Sequence, residues 1–226
     1  MSRSGAILRE IGTTNHTKIE DYRNAITDRT RLILRVHRSN FRISGFTARP
    51  KLPELTALGR EAGLPVYEDL GSGCLVDLSS RGIKEPLVSH SFQAGVDLTS
   101  FSCDKLLGGP QSGIVAGNAD LVQRIRRNPL YRAFRCDKLA IEAISITLQR
   151  LIADDFDAIP TLRMISQPIE AIHLRAERLA SRLCPLNVKV VQGESAVGGG
   201  STPEQTLPTW LISLAIDGVS AFEHRL

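Results

Sequence analysis

Apolar runs rich in β-branched residues alternate with stretches of helical spacing along the first half of the chain. Residues 31–36 (Arg-Leu-Ile-Leu-Arg-Val) predict a strand, and residues 53–62 predict a helix that stops at Gly63, a residue suited to the left-handed position after a helix. Residues 64–69 predict the next strand, broken by Gly71-Ser72-Gly73. A short helix over 86–94, ended by Gly95, leads to a third strand over 96–102, and residues 112–117 form a fourth. Asp120 is the expected start of a helix over 121–127, which Asn128-Pro129 terminates. This alternation predicts an α/β fold built from βα units around a mainly parallel sheet. Further along, residues 137–153 and 168–183 predict long helices, the second carrying an apolar stripe of Ile169, Ile172, Ala176, Leu179 and Leu183. A strand over 188–191, a glycine turn at 198–200 and a strand over 209–215 follow. The expected boundary falls near 155–165, dividing a larger partial α/β domain (1–158) from a smaller partial α+β one (159–226). A doubly wound domain needs a first βα unit, yet the chain enters at a loop and a helix over 18–26. It stops inside an incipient helix over 220–226, so both ends read as cut.

Composition narrows the class without changing this picture. The chain has 226 residues, 42% hydrophobic and 23% charged, with Gly 18 and Pro 11, which excludes collagen-like and disordered classes. No apolar run approaches the roughly 18 residues of a membrane helix, and the start lacks a signal-peptide core. A cytoplasmic protein is expected. The net charge of +4, from 28 Lys+Arg against 24 Asp+Glu, is compatible with a phosphate-bearing partner but equally with an ordinary surface. The cysteines at 74, 103, 136 and 184 show neither zinc-site spacing nor a disulfide framework, so reduced thiols are expected and no metal site.

Ligands of open α/β sheets bind beyond the carboxyl ends of strands, and two predicted strand ends carry reactive groups. Asp69 ends one and precedes the Gly-Ser-Gly loop. Cys103-Asp104-Lys105 ends another and precedes Leu106-Leu-Gly-Gly-Pro-Gln-Ser-Gly113. A lysine at a buried strand end loses solvation, which frees the neutral amine for a Schiff base. A neighbouring carboxylate can keep a pyridine nitrogen protonated, and the two together suit pyridoxal phosphate chemistry. By themselves the residues leave other readings open: Asp69 as a helix cap, Lys105 as a solvated loop lysine.

Longer strings carry a resemblance. Leu8-Arg-Glu-Ile-Gly-Thr-Thr-Asn15, Val36-His-Arg-Ser-Asn-Phe-Arg-Ile43, Gly45-Phe-Thr47 and Glu68-Asp-Leu-Gly-Ser-Gly73 are the first of them. Phe101-Ser-Cys-Asp-Lys-Leu-Leu-Gly-Gly-Pro-Gln111, Pro129-Leu-Tyr-Arg-Ala-Phe-Arg-Cys-Asp-Lys-Leu139 and Glu194-Ser-Ala-Val-Gly-Gly-Gly-Ser201 complete the set. Together they resemble the bacterial selenocysteine synthases, the L-seryl-tRNA(Sec) selenium transferases, over nearly the whole chain. The resemblance implies an incomplete fold-type I pyridoxal 5'-phosphate (PLP) transferase fold and large ring-shaped homo-oligomers. It implies conversion of seryl-tRNA(Sec) to selenocysteinyl-tRNA(Sec) with selenophosphate as the selenium donor. Lys105 is then the lysine that holds the cofactor and later acts as base, and Asp69 the partner of the pyridine nitrogen. Arg132 and Arg135 match arginines that bind the anionic donor, a task suited to planar guanidinium forks; without the resemblance, a solvated arginine-rich turn is the simpler reading.

His37 and Asn40, just past a strand end, are candidates to face the cofactor. Asp104 is a candidate to orient the lysine, and Gly71, Gly73, Gly108 and Gly109 to let the backbone turn tightly beside the cofactor. Cys103 stands where the family pattern leads us to expect glycine, which sets a thiol beside the lysine, and Arg38 replaces an expected small or neutral residue. Family chains are longer. The segment before Met1 there includes a tRNA-reading domain and the glycine-rich cradle for the cofactor phosphate, so this chain alone is expected to be inactive. A related PLP lyase acting on a small amino acid or amino sugar acid, and an inactive oligomerising remnant, are the alternatives.

Overall fold

The computed structural model describes residues 4–12, 15–38, 43–183, 186–198, 202 and 205–215. Its centre is a four-stranded sheet in the order β1-β2-β3-β4. The strands are β1 (Ile33–Val36), β2 (Val66–Gly71), β3 (Leu98–Ser102) and β4 (Gly113–Gly117). Helix α1 (Ile19–Ala25) precedes β1, α2 (Leu52–Ala62) carries the chain from β1 to β2, and α3 (Val88–Gln93) carries it from β2 to β3. These crossovers make β1, β2 and β3 parallel. Strand β4 runs antiparallel to β3, because the connection over 103–112 holds no helix and falls short of the dozen or so residues that a parallel crossover requires. The sheet is therefore mainly parallel, as expected, with one antiparallel edge.

Helix ends obey local chemistry. Gly63 closes α2 in the left-handed conformation at φ 63°, as the sequence predicts. At its start, the Lys51 N–H donates to Glu54 Oε2 at 2.6 Å. The cap of α4 (Ala119–Arg127) is Asn118 and not the expected Asp120: Asn118 Oδ1 accepts from the N–H groups of Asp120 and Leu121 at 3.0 and 3.2 Å. Asp120 sits inside the first turn, where its charge favours the positive helix end. Asn128 ends α4 as expected and also starts a new helix, α5 (Pro129–Phe134), by accepting from the Leu130 N–H at 3.0 Å. Asp137 caps α6 (Lys138–Ile152). Then come α7 (Pro160–Ile165), α8 (Ile169–Arg182) and a hairpin of β5 (Val188–Ala196) and β6 (Thr206–Leu214). Both hairpin strands are longer than the periodicity alone suggests. Asn40, Gly199, Gly200 and the expected helix over 220–226 lie outside the described residues.

Three apolar clusters hold the sheet. Ile33, Leu55, Leu58 and Val66 pack with Ile19, Tyr22 and Ile26, joining α1 and α2 to the sheet. Leu70, Val88, Phe101, Cys103 and Leu107 pack against Ile144 and Leu148 of α6. Cys74, Leu78, Ile83 and Leu106 pack with Ile159, Leu162 and Ile165, so residues after 158 share a core with the loops that leave the sheet.

The loops after β2 and β3 are joined directly. The Leu106 N–H donates to the Ser72 carbonyl at 3.2 Å. Gly73, at φ +66°, lies so close to β3 that a β-carbon there would stand 2.2 Å from the Ser102 carbonyl oxygen. Gly73→Ala therefore combines left-handed backbone strain with a backbone collision. We expect it to lower the unfolding free energy by about 3 kcal/mol in denaturant titration. A loss of a few tenths would show that the two loops separate freely.

Candidate active site at the carboxyl edge of the sheet

Strand direction brings the ends of β1, β2 and β3 to one edge, with His37, Asp69 and the lysine loop arrayed along it. Asp69 pairs with Val36 on one side and Ser100 on the other. The ladder shifts register between Asp69 and Gly71, where Gly71 adopts φ 74°. Asp69 is thus the last residue of the regular pairing, although β2 itself runs on to Gly71. Its carboxylate is held: Ser100 Oγ–H donates to Asp69 Oδ1 at 2.8 Å, and Tyr67 Oη lies 2.6 Å from the same Ser100 oxygen. Its carbonyl accepts the His37 N–H at 2.7 Å.

His37 is the first residue past β1. Its Nε2 stands 3.5 Å from Glu85 Oε1, with the two side chains 11% and 4% exposed. Glu85 was not distinguishable in the sequence, because Lys-Glu-Pro before a short helix reads as a solvated helix start. The tertiary fold buries it instead.

Lys105 lies three residues beyond β3, half-buried in the loop that joins β3 to β4. The loop is shaped by the backbone. The Gly108 N–H donates to the Lys105 carbonyl at 3.0 Å, and the Gly109 N–H to the Cys103 carbonyl at 2.7 Å. A β-carbon on Gly109 would come within 3.3 Å of that Cys103 oxygen, so here glycine serves close approach. Asp104 is exposed. Cys103, two residues before the lysine, is fully buried among Leu70, Phe101 and Leu107. Burial pushes its thiol pKa upward, because a thiolate is poorly solvated there.

Arg132 lies on α5 and Arg135 is that helix's C-cap; both are exposed. Among the described residues the structure does not join them to Asp69 or His37 by a hydrogen bond or ion pair.

A second polar cluster escaped the sequence reading. Glu68 is 4% exposed, accepts from Ser91 Oγ–H at 2.7 Å and lies 3.3 Å from Arg35 Nε. Neighbouring strand residues point to opposite faces, so this buried pair lies behind the sheet from Asp69. A carboxylate beside an aspartate in one strand gives no sign of which of them faces the cleft.

Cys74, in the loop after β2, is 2% exposed, and burial followed by the nearby Glu85 charge pushes its thiol from 9.0 up to about 11. A folded-state pKa above the unfolded value favours the folded protein at low pH, and that advantage disappears as pH rises through the folded pKa. Between pH 9.0 and about 11 the wild type should lose about 2 kcal/mol more stability than Cys74→Ala. Denaturant titrations of both proteins across that range check it; parallel curves would contradict the burial of this thiol.

Comparison with known proteins follows the same lines. The profile of the family described as L-seryl-tRNA selenium transferase matches residues 1–225. The chain is 49% identical to the L-seryl-tRNA(Sec) selenium transferase of Geobacter sulfurreducens, over 99% of this chain and 50% of that protein. It is 42% identical to the protein of the same name from Aquifex aeolicus, again over 99% of this chain and 50% of that one. The chain spans about half the length of the curated relatives it matches. Among solved structures, D-glucosaminate-6-phosphate ammonia-lyase superposes with a TM-score of 0.59 at 15% identity, covering 95% of this chain and 49% of that one. That likeness concerns the fold, an α/β arrangement with a mainly parallel sheet. Among the described residues no helix is long and apolar enough to cross a membrane.

Proposed function

The chain belongs to the L-seryl-tRNA selenium transferase family, and from that premise we propose that it carries the cofactor-holding half of a PLP-dependent site that turns seryl-tRNA(Sec) into selenocysteinyl-tRNA(Sec). The observation that carries this reading is the joining of two neighbouring strand ends, one bearing Asp69 and the other Lys105, through the Leu106–Ser72 hydrogen bond and the close approach at Gly73. The donor set suits the cofactor: an amine for its aldehyde and a carboxylate for its pyridine nitrogen.

In this reading Lys105 holds the cofactor, and its amine, once released, moves the proton at the seryl α-carbon. Asp69 holds a proton on the pyridine nitrogen. PLP, when bound, supplies an electron sink for the charge left at that α-carbon. His37, whose backbone N–H is held by the Asp69 carbonyl and whose ring lies near Glu85, borders the cofactor, and Gly71, Gly109 and Asp104 complete the loops around it. Arg132 and Arg135 bind the selenophosphate oxyanion from their exposed helix. Residues 1–158 serve as the partial large domain and 159–226 as the partial small one.

Seryl-tRNA(Sec), selenophosphate and further copies of the same chain are the partners of this reading. The exposure of Phe134, Leu139 and Ile152 at 80%, 82% and 84% supports self-association, because apolar area of that kind favours burial against another surface. With half of the relatives' length in hand, the chain alone is expected to be inactive in selenium transfer.

Borohydride reduction of the PLP-treated protein, followed by peptide mapping, should label Lys105. A label on Lys84 or Lys138 would overturn the assignment. In the complete enzyme, Arg132→Lys or Arg135→Lys should weaken use of the selenium donor about tenfold or more, because an ammonium cannot reproduce a bidentate fork. The visible spectrum of the bound cofactor should stay unchanged. Unaltered donor dependence in both variants would return these arginines to an ordinary solvated surface.

A further inference from the structure

Asp69 is not held by its own strand alone. Ser100 lies directly across from it on β3. Tyr67, two residues earlier on β2, projects from the same face, because strand side chains alternate with a period of two. Ser100 Oγ is 2.8 Å from Asp69 Oδ1 and 2.6 Å from Tyr67 Oη. All three side chains are half-buried.

Counting protons fixes the direction. A carboxylate only accepts, so the single Ser100 proton goes to Asp69. The serine oxygen then has only lone pairs to offer Tyr67, and the phenol O–H must donate to it. We propose that Tyr67 and Ser100 form a one-way hydrogen-bond relay, Tyr67 O–H to Ser100 Oγ–H to Asp69 Oδ1, and that this relay positions the Asp69 carboxylate toward its ligand. The relay engages Oδ1 and restrains the carboxylate's rotation, which favours Oδ2 as the oxygen for an N–H donor at the sheet edge. Donor chains of this kind polarise one another, so Tyr67 strengthens the bond that Ser100 makes. Ser100 and Tyr67 are positioning residues: they act through Asp69.

This inference rests on the PLP reading of Asp69, and it has two readouts. The first is the equilibrium affinity for PLP, followed by the visible absorbance of the treated protein. Ser100→Ala should weaken it about tenfold, as expected for loss of a charge-assisted hydrogen bond. Ser100→Thr, which keeps the hydroxyl, should restore it. Tyr67→Phe should weaken it about threefold in the wild-type background and have no effect in Ser100→Ala, because the phenol then has no serine to act through. The second readout needs no cofactor. In the apo-protein, thermal unfolding of the same four-protein cycle should be non-additive, since the two hydroxyls share one bond network. Equal effects of Tyr67→Phe in both backgrounds, in either readout, would overturn the relay. Unchanged affinity in Ser100→Ala would overturn the positioning role. A non-additive apo cycle in a wild-type protein that takes up no PLP would overturn the reading of the site, and the positioning role with it.

Discussion

Everything at the carboxyl edge depends on two loops lying against each other. The loop after β2 carries Ser72 and Gly73, and the loop after β3 carries Asp104 and Lys105. The Leu106 N–H bond to the Ser72 carbonyl ties them together. Gly73 permits the contact, because the space a β-carbon would need is filled by the Ser102 carbonyl. A backbone hydrogen bond suits the task, since it holds whatever the side chains do during chemistry.

The sheet has two polar faces with different purposes. On one, Tyr67, Ser100 and Asp69 present a carboxylate outward. On the other, Glu68 is closed off by Arg35 and Ser91. A buried ion pair adds little net stability, but breaking it strands a charge and costs several kcal/mol. The Glu68 cluster therefore disciplines the packing of β1, β2 and α3 behind the site. At the edge of β1 a second acidic group, Glu85, is drawn in beside His37, its Oε1 3.5 Å from the imidazole Nε2.

The second half of the chain is less self-sufficient. Helix α6 spans Lys138–Ile152 without a buried residue, and Leu139, Ile141, Ile146 and Ile152 are all exposed. A helix apolar on that scale gains its stability from a surface laid against it. The chain covers about half the length of its curated relatives, so the apolar surface of α6 and of α5 beside it fits a protein whose full form supplies more contacts.

Periodicity and punctuation determined much of this protein on their own. Gly63 and Gly95 end helices because only glycine readily takes the left-handed conformation there. The short runs read as strands because β-branched residues fill them and glycine or proline bounds them, and the lysine string identifies the family because so many consecutive positions agree. Some features were decided only by tertiary contacts. Asn118 caps α4 in place of Asp120, since both side chains can cap and backbone geometry chooses between them. Strand β4 turns back because its connection is too short to cross over. Cys103 packs into the core, which its place in a loop after a strand end did not foretell, because Leu70, Phe101 and Leu107 close around it only once the sheet has formed. Glu85, Ser100 and Tyr67 are ordinary residues in one dimension. Their contacts join positions far apart in the chain, and such pairings exist only once the sheet has set its register.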